Sequence, residues 1–516
     1  MSFMNAVKNT LNEDFNYSVT ENGALGYRTS GKELTDLNFA VASMRGMNEK
    51  TIYDKFTKAY FEDKMMALRW LFFARDVRGG LGERRLFRTV LKNMVKDDPN
   101  TVKRLACLVS EYGRYDDLWC LFGTDVDGVV FDIIKKQLSD DIANMAENKP
   151  VSLLAKWLPS VNASSTRTKM NARYICKNLS MTEREYRKTL SSLRSYIDIV
   201  ESKMSAKKWE DIKYETVPSR ANLIYNRAFL RNDEERRREY LSKLEKGEAK
   251  INAGTLFPHD IVHKYSSTTG WGCSVGKYDA TLESLWKALP DTVNECGNTI
   301  VVADGSCSML CNVGGNSRVT ALEVANALAI YFAEHSSGDF KDKYITFSSR
   351  PQLVDFSQCD SLRDKLRVAY SHSECSNTNI EKVFDLILTT AVNGHMKQED
   401  MPKNVLIISD MEFDSCATCG GNGYDLNRPS ARLFETIKKR FEDAGYQMPR
   451  LVFWNVNSRT GTIPVKENDL GVALVSGFST NVCKMVMSGK TDPYECLVET
   501  LMSERYDAVE AALKNF

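Results

Sequence analysis

Through most of the first 260 positions, apolar residues recur at helical spacing. Thr182 and Glu185 form a capping box, and Tyr186, Leu190, Leu193, Ile197 and Val200 follow at three- and four-residue steps. Residues 53–74, 85–95 and 101–112 carry the same amphipathic pattern. Between such stretches stand turn signals, Arg78-Gly79-Gly80-Leu81-Gly82 and Asp97-Asp98-Pro99-Asn100. Short helices joined by short turns predict an all-α helical-repeat module, HEAT-like, spanning residues 1–263. No strict sequence period accompanies them.

Beyond it the pattern changes twice. Residues 264–294 turn to Ser, Thr and Gly, as in Ser266-Ser267-Thr268-Thr269-Gly270-Trp271-Gly272, and read as a linker. From 295 to 516, short apolar strands alternate with helices. Strands are predicted over 299–303, 344–347, 353–356, 405–409, 451–456 and 472–475, and helices over 319–335, 379–392 and 431–444. This alternation predicts an α/β, Rossmann-like domain whose mostly parallel sheet is covered on both faces. Ligands of such sheets sit at the carboxyl ends of the strands.

Composition excludes some classes. Of 516 residues 43% are hydrophobic and 27% charged, which rules out wholesale disorder and a membrane bundle. The best apolar run, 67–74, is interrupted by Arg69 and falls short of the ~20 residues of a membrane span. The N-terminus lacks the basic-then-apolar layout of a secretory signal, and 13 scattered cysteines suit thiols in a reducing compartment, so a cytoplasmic location is expected. The net charge of +1 hides a split: residues 1–290 hold 47 Lys+Arg against 38 Asp+Glu, and residues 291–516 hold 22 against 30. A basic half and an acidic half point to different partners.

The clearest chemistry lies where the strand 299–303 ends. Asp304-Gly305-Ser306-Cys307-Ser308 offers one carboxylate and two hydroxyls on a tight loop, hard oxygen ligands suited to Mg²⁺. Ser376-Asn377-Thr378-Asn379 opens a helix, and Asp410 directly follows the strand 405–409. All three segments are predicted at one edge of the sheet. Their order and spacing resemble the metal-ion-dependent adhesion site of von Willebrand factor A domains. The resemblance implies Asp304, Ser306, Ser308, Thr378 and Asp410 as the site of Mg²⁺ or another divalent cation. The chain departs from that family's frequent Gly-Gly before the threonine, with Ser376-Asn377 in its place.

A helical module followed by such a domain resembles the Ro ribonucleoprotein family, whose first part is the TROVE module. It is still more similar to the related uncharacterised proteins of phages, bacteria, fungi and plants. The matching stretches are Phe72-Phe73-Ala74-Arg75-Asp76-Val77-Arg78-Gly79-Gly80, Leu154-Ala155-Lys156-Trp157-Leu158-Pro159-Ser160 and Asn252-Ala253-Gly254-Thr255-Leu256-Phe257-Pro258-His259-Asp260, with Asp410-Met411-Glu412-Phe413 and Gly477-Phe478-Ser479-Thr480 later. The resemblance implies a ring-shaped helical module that binds structured or misfolded non-coding RNA.

An RNA surface is also legible in the residues. Between Glu147 and Glu183 there is no acid, whereas Lys149, Lys156, Arg167, Lys169, Arg173 and Lys177 fall within it. Trp157, Tyr174 and the hydroxyl run 164–168 accompany them; cations neutralise phosphates, hydroxyls bond them and aromatic faces stack bases. Trp157 by itself reads as a core residue. Arg75, Arg78, Arg84, Arg85 and Arg88 form a second candidate.

Other signals carry less. Residues 231–239 look basic, but Asp233/Arg237 and Glu234/Arg238 are spaced to pair on a solvated helix face. Gly272-Cys273-Ser274-Val275-Gly276 spells a nucleophile elbow after a linker, without the strand that strains it. Cys416 and Cys419 make one CxxC pair where zinc needs four ligands, and His259 suits a helix junction better than catalysis. Two acids with three hydroxyls are a poor two-metal nuclease. The expectation is a non-catalytic RNA-binding protein whose Mg²⁺ domain contacts partners. The alternative is a metal-dependent protein-interaction scaffold without RNA, its ion completed by a partner's acidic residue.

Overall fold

The computed structural model describes residues 4, 15–22, 25–269, 272–293, 298–314, 317–373, 378–413, 429–464, 472–483, 485 and 492–514. In chain order its strands are β1 (Tyr17–Val19), β2 (Leu25–Tyr27), β3 (Ser266–Thr269), β4 (Gly272–Val275), β5 (Thr299–Asp304), β6 (Lys343–Phe347), β7 (Leu353–Asp355), β8 (Asn404–Ser409), β9 (Arg450–Asn455) and β10 (Val472–Ser476). The chain divides into two units. One is Met1–Ala67 with Ala253–Ser503, and the other is Leu68–Asn252 with Glu504–Phe516.

The first unit is built on a six-stranded sheet of order β10-β9-β8-β5-β6-β7, parallel except for β7, which runs antiparallel to β6. All six strands fall within a residue or two of their predicted positions. β8, β9 and β10 are almost wholly apolar and buried, as strands covered on both faces must be. Phe453 joins Ile380, Phe384, Ile407 and Phe441 in an apolar cluster. Its neighbour Trp454, on the opposite face, meets Phe332 edge-on at 5.6 Å. Helices therefore cover both faces: Ala321–His335 on one, and Ile380–Asn393 with Pro429–Asp443 on the other. Numbered within the sheet alone, the order is 3-2-1-4-5-6, so the connections diverge between β5 and β8.

The first 67 residues, expected in the helical module, belong to the sheet unit. Tyr27 of β2 exchanges backbone hydrogen bonds with Ile463 at 2.8 Å each, and Thr20 donates to the Phe413 carbonyl at 2.6 Å. The Ala42 N–H donates to Ser476 Oγ at 3.1 Å, and the Asn455 amide to the Phe39 carbonyl at 2.9 Å. Strands of three residues are too short to show alternation in sequence. The expected linker is folded as well. β3 and β4 form an antiparallel hairpin, and Asp279 caps the helix Ala280–Lys287, whose Glu283 accepts from Tyr265 Oη at 2.7 Å and from the Leu362 N–H at 2.8 Å.

Among the described residues the second unit is helical throughout. The predicted stretch 53–74, most of which belongs to the first unit, is two helices, Glu49–Glu62 and Lys64–Arg75, because extended Asp63 ends the first and accepts from the Met66 N–H at the start of the second. The Thr182/Glu185 box caps Glu183–Tyr196 as expected. In the glycine turn, a Cβ on Gly80 would lie 1.9 Å from the Phe73 carbonyl oxygen, so only glycine fits. The last residues, expected in the α/β domain, join this unit. Asp507 and Glu510 pair with buried Arg69 at 3.0 and 2.8 Å, and Tyr506 packs on Phe73 and Tyr112. Among the described residues no helix is long and apolar enough to cross a membrane.

Candidate metal centre and cationic helix

β5 and β8 are neighbouring parallel strands, and each ends on an acid at the point where the connections diverge. Asp304 closes β5 and Asp410 follows β8; both are 1% exposed. Asp304 Oδ1 accepts from the Ser306 N–H at 2.9 Å, and Oδ2 from Ser409 Oγ at 2.6 Å. Ser306 Oγ and Ser308 Oγ lie 2.9 Å apart, and the Ser308 hydroxyl draws the Asp410 carboxyl down against the effect of its burial. Asp304, Ser306 and Ser308 thus stand together at the end of β5, beside the strand that Asp410 follows. Thr378 is buried immediately before Asn379, the cap of the helix Ile380–Asn393, whose first residue shares an apolar cluster with Met411 and Phe413. Ser376 and Asn377 lie outside the described residues.

The residues around the acids were not legible as site residues. Ser409 reads only as the end of a strand, yet its hydroxyl donates to Asp304 while accepting from the Met411 N–H at 3.1 Å. Met411 has φ 63°, left-handed for a residue with a side chain, and this kink separates Asp410 from Glu412. Buried Glu412 accepts from the N–H groups of Glu21, Arg459 and Thr460 at 2.8, 2.8 and 2.9 Å. It thereby holds Arg459, whose Nη2 stands 3.5 Å from Asp410 Oδ2 and 2.5 Å from Glu21. No spacing rule links Glu21, Glu412 and Arg459 in sequence.

Burial, and then the charge of Asp410, push the Asp304 carboxyl up to about 7, and burial raises Asp410 as well. Two buried acids laced by hydroxyls are an environment that a cation relieves. Two carboxylates with the Ser306 and Ser308 hydroxyls are hard donors of the kind that Mg²⁺ takes with retained waters. Among the described residues no three His, Cys, Asp or Glu side chains cluster as a metal site, so an ion at these acids would draw on hydroxyl oxygens as well. Within the loop, Cys307 is disulfide-bonded where a thiol was expected; eight other described cysteines are free thiols. Cys416 and Cys419 lie outside the described residues.

In the helical unit the acid-free stretch is only partly free of acids in space. Glu147 and Glu183, which bound it, fold back onto Lys149 at 2.6 Å and Arg173 at 3.0 Å, and Lys156 faces Glu201 at 3.7 Å. Arg167, Lys169 and Lys177 make no ion pair among the described residues. The helix Thr166–Asn178, capped by Ser165, places Lys169, Arg173 and Lys177 four residues apart on one face, with Arg167 off it. The aromatic residues are engaged elsewhere. Trp157 is half-buried beneath the Arg114 guanidinium, 4.0 Å from its ring centre, and Tyr174 packs on Phe122 and Phe131 with its hydroxyl on Asp127.

The second candidate surface is largely taken up. Arg75, Arg84 and Arg88 donate to buried Asp117 at 2.8, 2.9 and 2.6 Å, and Arg84 and Arg88 also pair with Asp116. Glu234 pairs with Arg238 as expected. Arg237 instead is fully buried, donating to the amide oxygens of Asn222 and Asn226 amid the rings of Tyr214, Phe229 and Tyr240, and Asp233 pairs with Arg236. Ser274 lies exposed within β4, not on a strand-to-helix turn. His259 is buried in the first turn of Pro258–Tyr265 against Phe257 and Phe478.

Residues 298–513 match the model of a domain of unknown function, DUF7788, and residues 128–299 match another, DUF2828. The chain is 29% identical to an uncharacterized protein, L728, of Acanthamoeba polyphaga mimivirus, across 94% of this chain and 87% of that protein. No solved structure matches the chain.

Proposed function

We propose that the chain is a non-catalytic RNA-binding protein of Ro ribonucleoprotein type. On this reading the sheet unit is a von Willebrand factor A-like domain, with Asp304, Ser306, Ser308, Thr378 and Asp410 around Mg²⁺. The helical unit is a HEAT-like, TROVE-like module for structured or misfolded non-coding RNA. The sheet order, with both acids at its switch point, supports the first half. The observation that carries the second half is the helix Thr166–Asn178, where among the described residues Lys169 and Lys177 stand without ion pairs on one face and Arg167 without one off it. Cations left without acids are what a phosphate backbone neutralises.

The decisive assay is RNA binding across a salt series. Reversing Arg167, Lys169 and Lys177 to Glu should lower affinity and flatten log K against log salt by roughly one unit per lost contact. An unchanged slope removes this helix from the RNA surface. Incubation with Mg²⁺ and labelled RNA should leave the RNA intact; cleavage that vanishes in Asp304→Ala would replace the binding role with a nuclease. The pairing of Lys149, Lys156 and Arg173 with acids favours the scaffold reading, in which an acidic partner completes the ion. That reading wins if no RNA binds and a protein partner is lost on Asp304→Ala.

A further inference from the structure

The helical unit holds a cavity of about 570 Å³ between the helix Glu183–Tyr196, residues 160–162 and residues 198–211. This volume is in the range of small-ligand sites. Val161, Tyr186, Leu190 and Ile199 give it a buried apolar floor. Four cations, Arg187, Arg194, Lys203 and Lys208, line it against two carboxylates, Asp198 and Asp211, leaving a positive surplus. Lys203 is occupied, pairing with Asp198 at 2.7 Å and donating to the Asp211 carbonyl at 2.7 Å. Arg187 and Lys208 are exposed at the rim.

Arg194 is the informative group. Its Nε donates to the Ala155 carbonyl at 2.8 Å, Nη1 to Ser160 Oγ at 2.8 Å and Nη2 to the Leu158 carbonyl at 2.6 Å. All three acceptors are neutral, and burial draws the guanidinium's pKa down. A guanidinium has five N–H donors, so two remain to be given. A half-buried cation fixed by neutral acceptors lacks the counter-charge that an anion supplies in a charge-assisted bond. An apolar floor beside that cation adds a preference for an anion carrying a flat apolar group. The hydroxyls of Ser191 and Ser195 at the wall suit a sugar or a base edge.

We propose that this cavity binds one nucleoside monophosphate, its phosphate on Arg194 and its base over the apolar floor. The nucleotide is either free or one residue of an RNA strand, and only the second case rests on the RNA reading above.

Full-length protein titrated with AMP, adenosine, inorganic phosphate and a single-stranded oligonucleotide tests this by calorimetry. AMP should bind at least about tenfold more tightly than adenosine or phosphate alone. Arg187→Glu/Lys208→Glu, at exposed positions that the fold tolerates, should weaken AMP about tenfold, and Ser195→Trp should fill the space and abolish it. Equal binding of phosphate and AMP, or AMP affinity unchanged in Ser195→Trp, overturns the site. AMP binding without any RNA binding keeps the cavity as a free-nucleotide site while the RNA reading falls. RNA binding that depends on Lys169 and Lys177, with no AMP binding and an oligonucleotide affinity indifferent to Ser195→Trp, overturns the cavity and leaves the RNA reading standing.

Discussion

Each unit holds a neighbouring pair of acids with at least one fully buried, and the two pairs are answered differently. In the helical unit, Asp117 is fully buried and takes hydrogen bonds from Arg75, Arg84 and Arg88, while Asp116 pairs with Arg84, Arg88 and Arg114. In the sheet unit, Asp304 and Asp410 receive serine hydroxyls and backbone N–H groups. Arg459 reaches Asp410 only at 3.5 Å and is shared with Glu21. The first pair is neutralised within the fold and serves architecture. The second is answered by hydroxyls, N–H groups and one distant guanidinium, and burial pushes it toward the protonated form. Buried acid alone therefore does not mark a ligand site, and the proposed reading rests on the pair that lacks close cations.

The largest expected effect breaks the architectural pair. Asp117→Asn leaves several arginines without their shared counter-charge and should destabilise the protein by about 3–5 kcal/mol in urea unfolding. A loss below about 1 kcal/mol would mean that the cluster is solvated. Asp304→Asn should do the opposite in metal-free protein, relieving repulsion and leaving stability equal or higher, while lowering Mg²⁺ affinity at least tenfold, about 1.4 kcal/mol. A large loss of stability would make Asp304 a structural acid like Asp117.

The pH dependence sharpens the same contrast. Asp304 holds its proton up to about 7 in the fold, above the ordinary carboxylate range near 4. Between those values the folded state binds more protons than the unfolded state, so metal-free stability should fall as pH rises from about 4 to 7. Mg²⁺ should reverse that fall, raising Tm more at pH 8 than at pH 5.5; an equal rise at both would uncouple the ion from these acids. The smallest effect separates paired from unpaired cations. Reversing Lys149 and Arg173 should change the salt slope of RNA binding less than reversing Lys169 and Lys177. Equal changes would show that the acids at Glu147 and Glu183 let go when RNA binds.

The sheet was legible because its strands are short apolar runs bounded by turns. Its acids were legible because they follow strands directly. What escaped is carried by long-range contact. The three-residue strands at 17–19 and 25–27 pair with each other in a small sheet of their own, tied to Ile463 through Tyr27 and to Phe413 through Thr20 at a separation of 393 residues, and they leave no periodic trace. Arg459 and Glu412 reach the acids through loop geometry, and the left-handed Met411 is not a residue that advertises φ above zero. The cationic stretch holds no acid within its bounds, but Glu147 and Glu183 at its edges fold back on it, and Glu201 reaches Lys156 from 45 residues further along the chain.

In the proposed function, cation and RNA are held by different units and by different residues. Asp304→Ala in the full-length chain, with RNA affinity and Mg²⁺ binding measured on the same folded preparation, tests it most directly. The account predicts that Mg²⁺ binding is lost while RNA affinity stays within about tenfold of wild type, about 1.4 kcal/mol, because no phosphate-neutralising charge has been removed. Loss of RNA binding in that folded variant would contradict it, placing RNA phosphate at the ion or coupling the two sites.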